Sequence, residues 1–277
     1  MSEYKAAPRT VVEACFDPQG TASLDYVYDV AAAAGLSDQP VRLAIRRLEA
    51  AGVLRQEGRG RKGRLLLTDA GRLRADTDVR FIALAYAQDA GLAPWDGLWR
   101  LYTFSVPEQR RAERDALRVA LTRLGAVALA PGAYVSPHDL LEELVGETSE
   151  ATVGTYLITA EATRLIGPGF TDAVAVAERL WPAADTIEAY QPLADTLGED
   201  SRADGSPAEL VAAALGLADA FSQAMEHDPL LPPELRPTPW PPSQLRQRFR
   251  EKWDEIRRHA PDLSLFRAYD LSEAPSA

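Results

Sequence analysis

A cluster of basic side chains lies between residues 37 and 64. Eight arginine and lysine residues stand here against three acidic residues, so the segment carries a net charge of +5 and the rest of the chain −16, for a total of −11. The eight are Arg42, Arg46, Arg47, Arg55, Arg59, Arg61, Lys62 and Arg64. A guanidinium can bond both acceptors of a guanine edge, and either cation can contact phosphates. A basic segment on an acidic protein therefore predicts a localised contact with nucleic acid.

Residues 37–50 have the pattern of a helix that would present part of this cluster. Ser37 can cap it, and Pro40 fits its first turn, where an amide donor is not needed. Apolar residues follow the i, i+3, i+4, i+7 spacing of a buried face, namely Val41, Ala44, Ile45 and Leu48. The polar side of the helix carries Gln39, Arg42, Arg46 and Arg47. With a preceding helix over residues 24–34 that ends at Gly35, the segment predicts a helix-turn-helix whose second helix enters the major groove.

A basic hairpin follows this helix. Residues 53–57 and 64–68 are strand candidates, and the loop 58–63 contains three glycines that permit a tight turn. The expected contacts with the DNA backbone come from Arg55, Arg59, Arg61, Lys62 and Arg64. Basic residues in a glycine-rich turn are often only a solvated loop. The interpretation as the wing of a winged helix depends on the order helix, turn, arginine helix, basic hairpin.

Other residues that could do chemistry are scattered along the chain. His138, His227 and His259 match no metal-ligand spacing. Residues 136–139 read Ser-Pro-His-Asp, but triad members come from separate segments, and such a run at a strand–helix junction is more typical of a helix cap. Cys15 has no base near it in sequence. We expect no catalytic residue, no metal and no cofactor, and therefore a protein that is not an enzyme.

Length and composition favour a globular protein of two or three domains. The chain has 277 residues, of which 46% are hydrophobic. Its one cysteine excludes an intramolecular disulfide and fits a reducing compartment. Neither a signal peptide nor an apolar run long enough for a membrane span is evident. We expect a soluble, cytoplasmic protein without a membrane partner.

The order of elements predicts an α+β fold in three domains. Residues 1–90 would form the winged helix with a bridging helix, 91–168 a central domain and 169–277 a mainly helical C-terminal domain. Within the central domain the expected order is β-α-β-β-α-β, typical of a ferredoxin-like fold. Its strands are expected at 101–106, 126–130, 133–136 and 152–159, and its helices at 108–124 and 137–146. The proline-rich residues 229–242 cannot form one helix and are expected to clasp the last helix in an extended form.

Several separated motifs resemble those of the PaaX family, bacterial repressors of phenylacetate catabolism and their relatives. The motifs are Trp95-Asp96-Gly97-x-Trp99-Arg100, Pro107-Glu108-x-Arg110-Arg111-x-x-Arg114-Asp115-x-Leu117, Pro131-Gly132-x-x-Val135-Ser136-Pro137, Leu180-Trp181, Asp228-Pro229-Leu230-Leu231-Pro232-x-Glu234-Leu235 and Trp240-Pro241. The resemblance implies a winged helix, a central domain similar to the small CRISPR-associated ferredoxin-like nuclease, and C-terminal helices. It also implies a homodimeric repressor that binds a palindromic operator and is released by an aryl-CoA thioester such as phenylacetyl-CoA.

The same resemblance raises a metal-dependent nuclease as the alternative function. In that nuclease family an aspartate ends the first strand of the domain. Here the corresponding residues 104–107 read Phe-Ser-Val-Pro, and the first acid is Glu108. This departure speaks against the alternative, because hydrolysis of a phosphodiester needs carboxylates that hold a divalent ion.

A second basic group opens the long helix of the central domain. Arg110, Arg111 and Arg114 could bind a CoA phosphate or an acidic partner subunit, or could form ordinary salt bridges with Glu108 and Glu113. The sequence favours the salt bridges. The tryptophans of the motifs, Trp95, Trp99, Trp181 and Trp240, are interpreted as core anchors rather than as ligand contacts.

Overall fold

The structure, a computed structural model, describes residues 6–198, 206–260 and 265–266. These residues fall into two compact units, called here the N-terminal unit and the central unit. The N-terminal unit contains the described residues within 1–79, 190–225 and 242–273, and the central unit those within 80–189 and 226–241. The sequence also predicts a polar break between helices at 198–205 and a frayed tail after Asp270. Apart from Gly198, both lie outside the described residues.

The predicted α+β class is confirmed, because the chain combines many helices with two antiparallel sheets. The two units are not contiguous in sequence. Residues 190–225 belong to the same unit as the first 79 residues. The division into domains at 1–90, 91–168 and 169–277 therefore stays a prediction, and the units group the C-terminal helices differently.

The first half of the N-terminal unit has the element order of a winged helix. Its elements are α1 (Pro8–Ala14), β1 (Thr21–Ser23), α2 (Leu24–Ala33), α3 (Asp38–Ala50), β2 (Leu54–Glu57), β3 (Arg64–Leu67) and the start of α4 (Asp69–Asp89). The three strands pair antiparallel in the order β1-β3-β2. Gly35, with a φ of 72°, turns the chain between α2 and α3. Ser37 stands at the N-cap of α3, but its side chain accepts no hydrogen bond from the helix.

The central unit is built around a four-stranded antiparallel sheet. Its elements are β4 (Trp99–Phe104), α5 (Arg111–Arg123), β5 (Val127–Ala130), β6 (Ala133–Ser136), α6 (Leu141–Glu147), α7 (Glu150–Tyr156), β7 (Leu157–Ala162), α8 (Ala173–Leu180) and α9 (Ala183–Ala189). The strand order β5-β6-β4-β7 is that of the predicted ferredoxin-like βαββαβ fold.

One predicted strand of this unit is misplaced. The strand expected at 152–159 begins only at Leu157, because the preceding residues form α7. Ser149 caps this short helix by accepting a hydrogen bond of 3.1 Å from the Thr152 amide. A Ser-x-x-Thr run ahead of β-branched residues thus favours a helical turn here over an extended strand.

Both faces of the central sheet carry a core. Tyr102 and Leu144 belong to a buried cluster with residues of α5. On the opposite face Trp99 stacks on Trp181, with ring centroids 6.1 Å apart, and Trp95 packs edge-on against Trp99. Trp240 is also buried. The interpretation of the motif tryptophans as core anchors is confirmed.

The proline-rich segment contributes to this second core. Leu231 and Leu235 pack in the cluster of Trp99, and a 3-10 turn at Pro233–Leu235 interrupts the extended chain. Two of its apolar residues therefore lie against the central sheet, and the expected clasp on the last helix stays a prediction.

Three further helices complete the N-terminal unit: α10 (Gln191–Gly198), α11 (Pro207–Glu226) and α12 (Pro241–His259). Thr10 of α1 donates a buried hydrogen bond to Asp219 of α11. Phe221 of α11 stacks on Phe249 of α12, with centroids 3.9 Å apart. The C-terminal helices are thus packed on the winged helix through α1. Among the described residues no helix has the length and apolar character needed to cross a bilayer.

Candidate nucleic-acid interface

The structure places all nine predicted DNA-binding side chains on the surface of the N-terminal unit. Helix α3 buries the four apolar residues that its periodicity indicated, and exposes Gln39, Arg42, Arg46 and Arg47 on its other side. The loop between β2 and β3 exposes Arg59, Arg61 and Lys62, and the strands themselves expose Arg55 and Arg64. We call this combined surface of α3 and the β2–β3 hairpin the reader surface.

An open groove of about 530 Å³ lies between α3 and the hairpin. Arg42 and Arg46 line it from α3, Gln56 and Arg61 from the hairpin, and Tyr28 from α2. The helix and the wing therefore share one side of the unit, as a reader of duplex DNA requires.

Two glycines allow the hairpin to turn as tightly as it does. Gly58 has a φ of 79°, which side-chain-bearing residues rarely adopt. A Cβ on Gly63 would lie 2.9 Å from the Leu24 side chain and 3.0 Å from the Glu57 carbonyl oxygen. The tip of the hairpin, residues 58–63, contains a turn of 3-10 helix at Gly60–Lys62. This turn defines the backbone from which the basic side chains of the tip project.

Carboxylates of the same unit pair with four of the basic residues. Arg42 bonds Asp38 at 3.0 Å, and Glu57 accepts from Arg64 at 2.7 Å and also from Arg55. The bond from Arg64, followed by the charge of Arg55, lowers the pKa of Glu57. Arg61, the fourth, has two carboxylate partners on α2.

The remaining four cations of the reader surface have no such partner. Within the residues that the structure describes, none of Arg46, Arg47, Arg59 and Lys62 forms an ion pair. Two of them lie on α3 and two at the hairpin tip. These four side chains can therefore bind an anion without first breaking an ion pair to any described residue.

The sequence did not reveal the part played by α2. Asp25 and Asp29 are one helical turn apart, so their i, i+4 spacing places them on one face. That spacing was visible in the sequence, but the cation they meet, Arg61, comes from 32 residues further along the chain. Only the folded hairpin shows the pairing.

The residues considered for catalysis have structural contacts in this fold. The Ser136 hydroxyl accepts from the His138 amide at 3.0 Å, which makes a local turn rather than a triad. Burial raises the pKa of the Cys15 thiol to about 12, and the thiol lies 3.1 Å from the Val11 carbonyl oxygen. Among the described residues no group of three or more His, Cys, Asp or Glu side chains is placed to hold a metal ion.

The basic start of α5 forms local salt bridges. Arg110 pairs with Glu113, Arg111 with Asp115 at 3.5 Å, and Arg114 with Glu108 at 2.8 Å. These contacts agree with the salt-bridge interpretation that the sequence favoured.

His138 gives the central unit a pH-dependent stability. Its Nε2 lies 2.8 Å from the Leu230 carbonyl oxygen, to which it donates as the neutral tautomer. Loss of water around the ring lowers the pKa of His138 below the ordinary 6.5. The unfolded chain therefore binds a proton first as the pH falls, so the contribution of His138 is complete above about 6.5 and declines from there toward the lower folded pKa.

We expect the His138→Gln variant to lose less stability than the wild type between pH 7 and pH 5. Glutamine retains a donor for Leu230 but does not titrate. Denaturant unfolding of both proteins at each pH measures the difference. Parallel losses in the two proteins would contradict the assignment of this pH dependence to His138.

Comparison with known proteins bears on the central unit. Residues 92–174 match the family model described as the PaaX protein central Cas2-like domain. These residues are therefore similar to the central domain of the PaaX family. The resemblance that the separated motifs indicated is thereby confirmed, and this PaaX-type domain coincides with the ferredoxin-like sheet described above.

A solved structure has a similar fold over almost the whole chain. It is an uncharacterized protein, Rv0674, from Mycobacterium tuberculosis, with a TM-score of 0.53 and 21% sequence identity. The match covers 94% of this chain and 99% of the other. At this identity the likeness concerns the fold. No curated protein matches the sequence.

Proposed function

We propose that this protein is a sequence-specific DNA-binding transcription regulator. The observation that carries the proposal is the reader surface: an arginine helix and a basic hairpin on one side of a winged-helix unit. Four of its cations form no ion pair with any residue that the structure describes. Its PaaX-type central domain supports the same function, because the family consists of transcription regulators. The proposed contact residues are Gln39, Arg42, Arg46, Arg47, Arg55, Arg59, Lys62 and Arg64. Arg61, the ninth residue that the sequence predicted as a contact, is bound by Asp25 and Asp29 and is treated separately below.

Within this surface we assign base contacts and phosphate contacts to different elements. Gln39, Arg46 and Arg47 project from α3 and would meet base edges in the major groove. Arg59 and Lys62 project from the hairpin tip and would meet the phosphate backbone. Substitution of an α3 residue should then relax the preference for one base pair, whereas substitution of Lys62 should weaken binding to all sequences alike.

The finer features of the proposal come from the family. We propose a homodimer that acts in the cytoplasm as a repressor, binds a palindromic operator, and is released by phenylacetyl-CoA or another acyl-CoA thioester. A regulator is favoured over the nuclease because residues 104–107, where β4 ends, supply no carboxylate.

Hydroxyl-radical footprinting of the upstream intergenic DNA, with and without phenylacetyl-CoA, tests this proposal. We expect two protected half-sites separated by one helical turn or a multiple of it. The thioester should remove the protection, and free CoA serves as the matched control. Protection of a single half-site would contradict the proposed dimer. Protection that the thioester does not change would contradict this effector. DNA without any protection would contradict the proposed regulator.

A further inference from the structure

Arg61 is the most strongly neutralised cation of the reader surface. Its Nη1 lies 2.7 Å from a carboxylate oxygen of Asp29 and 3.0 Å from one of Asp25. Hydrogen bonds to Asp29 and then Asp25 raise the pKa of the guanidinium, so Arg61 is charged, and its Nη1 is bound by both aspartates. Asp25 and Asp29 are 63% and 64% exposed, so both carboxylates face solvent where DNA would approach.

A third residue of α2 supports this contact. Tyr28 is buried, and the Arg61 guanidinium carbon lies 5.7 Å from the centre of its ring. The guanidinium carbon of Arg42 lies 5.9 Å from the same ring. A guanidinium near an aromatic ring is attracted to it, so Tyr28 adds a cation–π contact to the two ion pairs of Arg61.

The charges at this junction sum to a negative value. One arginine against two aspartates leaves a net charge of −1 where the hairpin tip meets α2. Arg59 and Lys62, which flank Arg61 in sequence, have no ion pair among the described residues. The hairpin tip therefore presents two available cations and one that is withheld.

We propose that Asp25 and Asp29 withhold Arg61 from the DNA backbone and so limit the affinity of the reader surface for non-specific DNA. This inference rests on the proposed function, and it assigns Arg61 a positioning role in place of the phosphate contact that the sequence predicted. Non-specific affinity comes almost entirely from phosphate contacts, and each contact adds to the salt dependence of binding. While Arg61 is bound to the two aspartates, one phosphate contact is lost with every DNA sequence alike. The base contacts made by α3 are unaffected.

The test is a double-mutant cycle on a duplex of random sequence. In the Asp25→Asn/Asp29→Asn variant, Arg61 is released and gains a phosphate. We expect the dissociation constant at low salt to fall about three- to tenfold, and the slope of log K against log salt to steepen by about 0.9. Arg61→Ala alone should leave that slope unchanged, whereas the matched variant Lys62→Ala should reduce its magnitude by about 0.9.

The cycle separates release of Arg61 from simple removal of negative charge. If the two asparagines act through Arg61, they should no longer steepen the slope in the Arg61→Ala background. An equal effect with and without Arg61 would overturn the proposal, because loss of charge repulsion alone would then explain it. A slope unchanged in the Asp25→Asn/Asp29→Asn variant would overturn it as well.

A second readout needs no DNA. Limited trypsin digestion of the intact protein should cut the hairpin at residues 59–62 several times faster in the Asp25→Asn/Asp29→Asn variant than in the wild type. Equal cutting rates would show that the aspartates do not hold the hairpin, and would overturn the proposal whether or not the protein binds DNA. Faster cutting combined with no DNA binding by any variant would instead contradict the proposed function and leave the contact itself established.

Discussion

Gly71→Ala is expected to destabilise the N-terminal unit by about 3 kcal/mol, which is the upper end of the usual cost of inserting an extra carbon into a packed core. A Cβ at this position would lie 2.0 Å from the carbonyl oxygen of Val53 and 3.0 Å from its carbonyl carbon. The obstacle is backbone, which cannot rotate away as a flexible side chain can. The same carbonyl oxygen accepts a hydrogen bond of 3.0 Å from the Thr68 amide, which fixes the start of α4 against the end of the helix-turn-helix.

Denaturant unfolding of wild type, Gly71→Ala and Gly154→Ala measures this effect. Gly154 lies inside α7, and a Cβ there would meet nothing within 4 Å. Alanine at position 154 should therefore be neutral or stabilising by up to about 1 kcal/mol, since it favours a helix. Equal stabilities of the two variants would mean that Gly71 is not in contact with Val53 in solution.

The second large effect concerns DNA binding. The Arg46→Ala/Arg47→Ala variant should bind its operator at least about a hundredfold more weakly than the wild type, because each lost base or phosphate contact costs roughly tenfold. Both side chains are exposed on α3, and neither has an ion pair among the described residues. Their removal should leave the fold intact, so that thermal unfolding stays within a few degrees of the wild type.

Matched controls distinguish the loss of a direct DNA contact from a change in the net charge of the protein. Arg118→Ala removes one positive charge from an exposed position of α5 in the central unit and should leave binding almost unchanged. Arg42→Ala should have a smaller effect than Arg46→Ala, since Arg42 must give up its bond to Asp38 before it can meet DNA. Comparable losses for Arg118→Ala and for the α3 variant would indicate a general effect of charge and would count against the reader surface.

The sequence predicted the elements whose pattern is local. The apolar stripe of α3 defines a buried face by periodicity alone, and glycines mark the turns around it. The strand order of the central sheet followed from the βαββαβ succession, although the fourth strand was placed too early because α7 also contains β-branched residues.

Contacts between segments that lie far apart in the sequence could not be predicted from it. The sequence alone does not distinguish Arg61 from the other basic residues of the hairpin, because its carboxylate partners precede it by more than 30 residues. Likewise, nothing in the spacing of Thr10 and Asp219 indicates that they bond across 209 residues and join the C-terminal helices to the winged helix. Such contacts depend on the packing of elements, which the sequence pattern of each element does not specify.

The central claim is that the reader surface binds duplex DNA, and a fluorescence-anisotropy titration tests it most directly. The intact protein is titrated onto its upstream intergenic duplex and onto a scrambled duplex of equal length, at about 50 and 200 mM salt. We predict tight binding to the upstream duplex and weaker binding to the scrambled one. The slope of log K against log salt should be about −2 to −4 per subunit, from the four cations that form no ion pair in the described part of the chain. Absence of binding at either salt, or binding that ignores salt, would contradict the account.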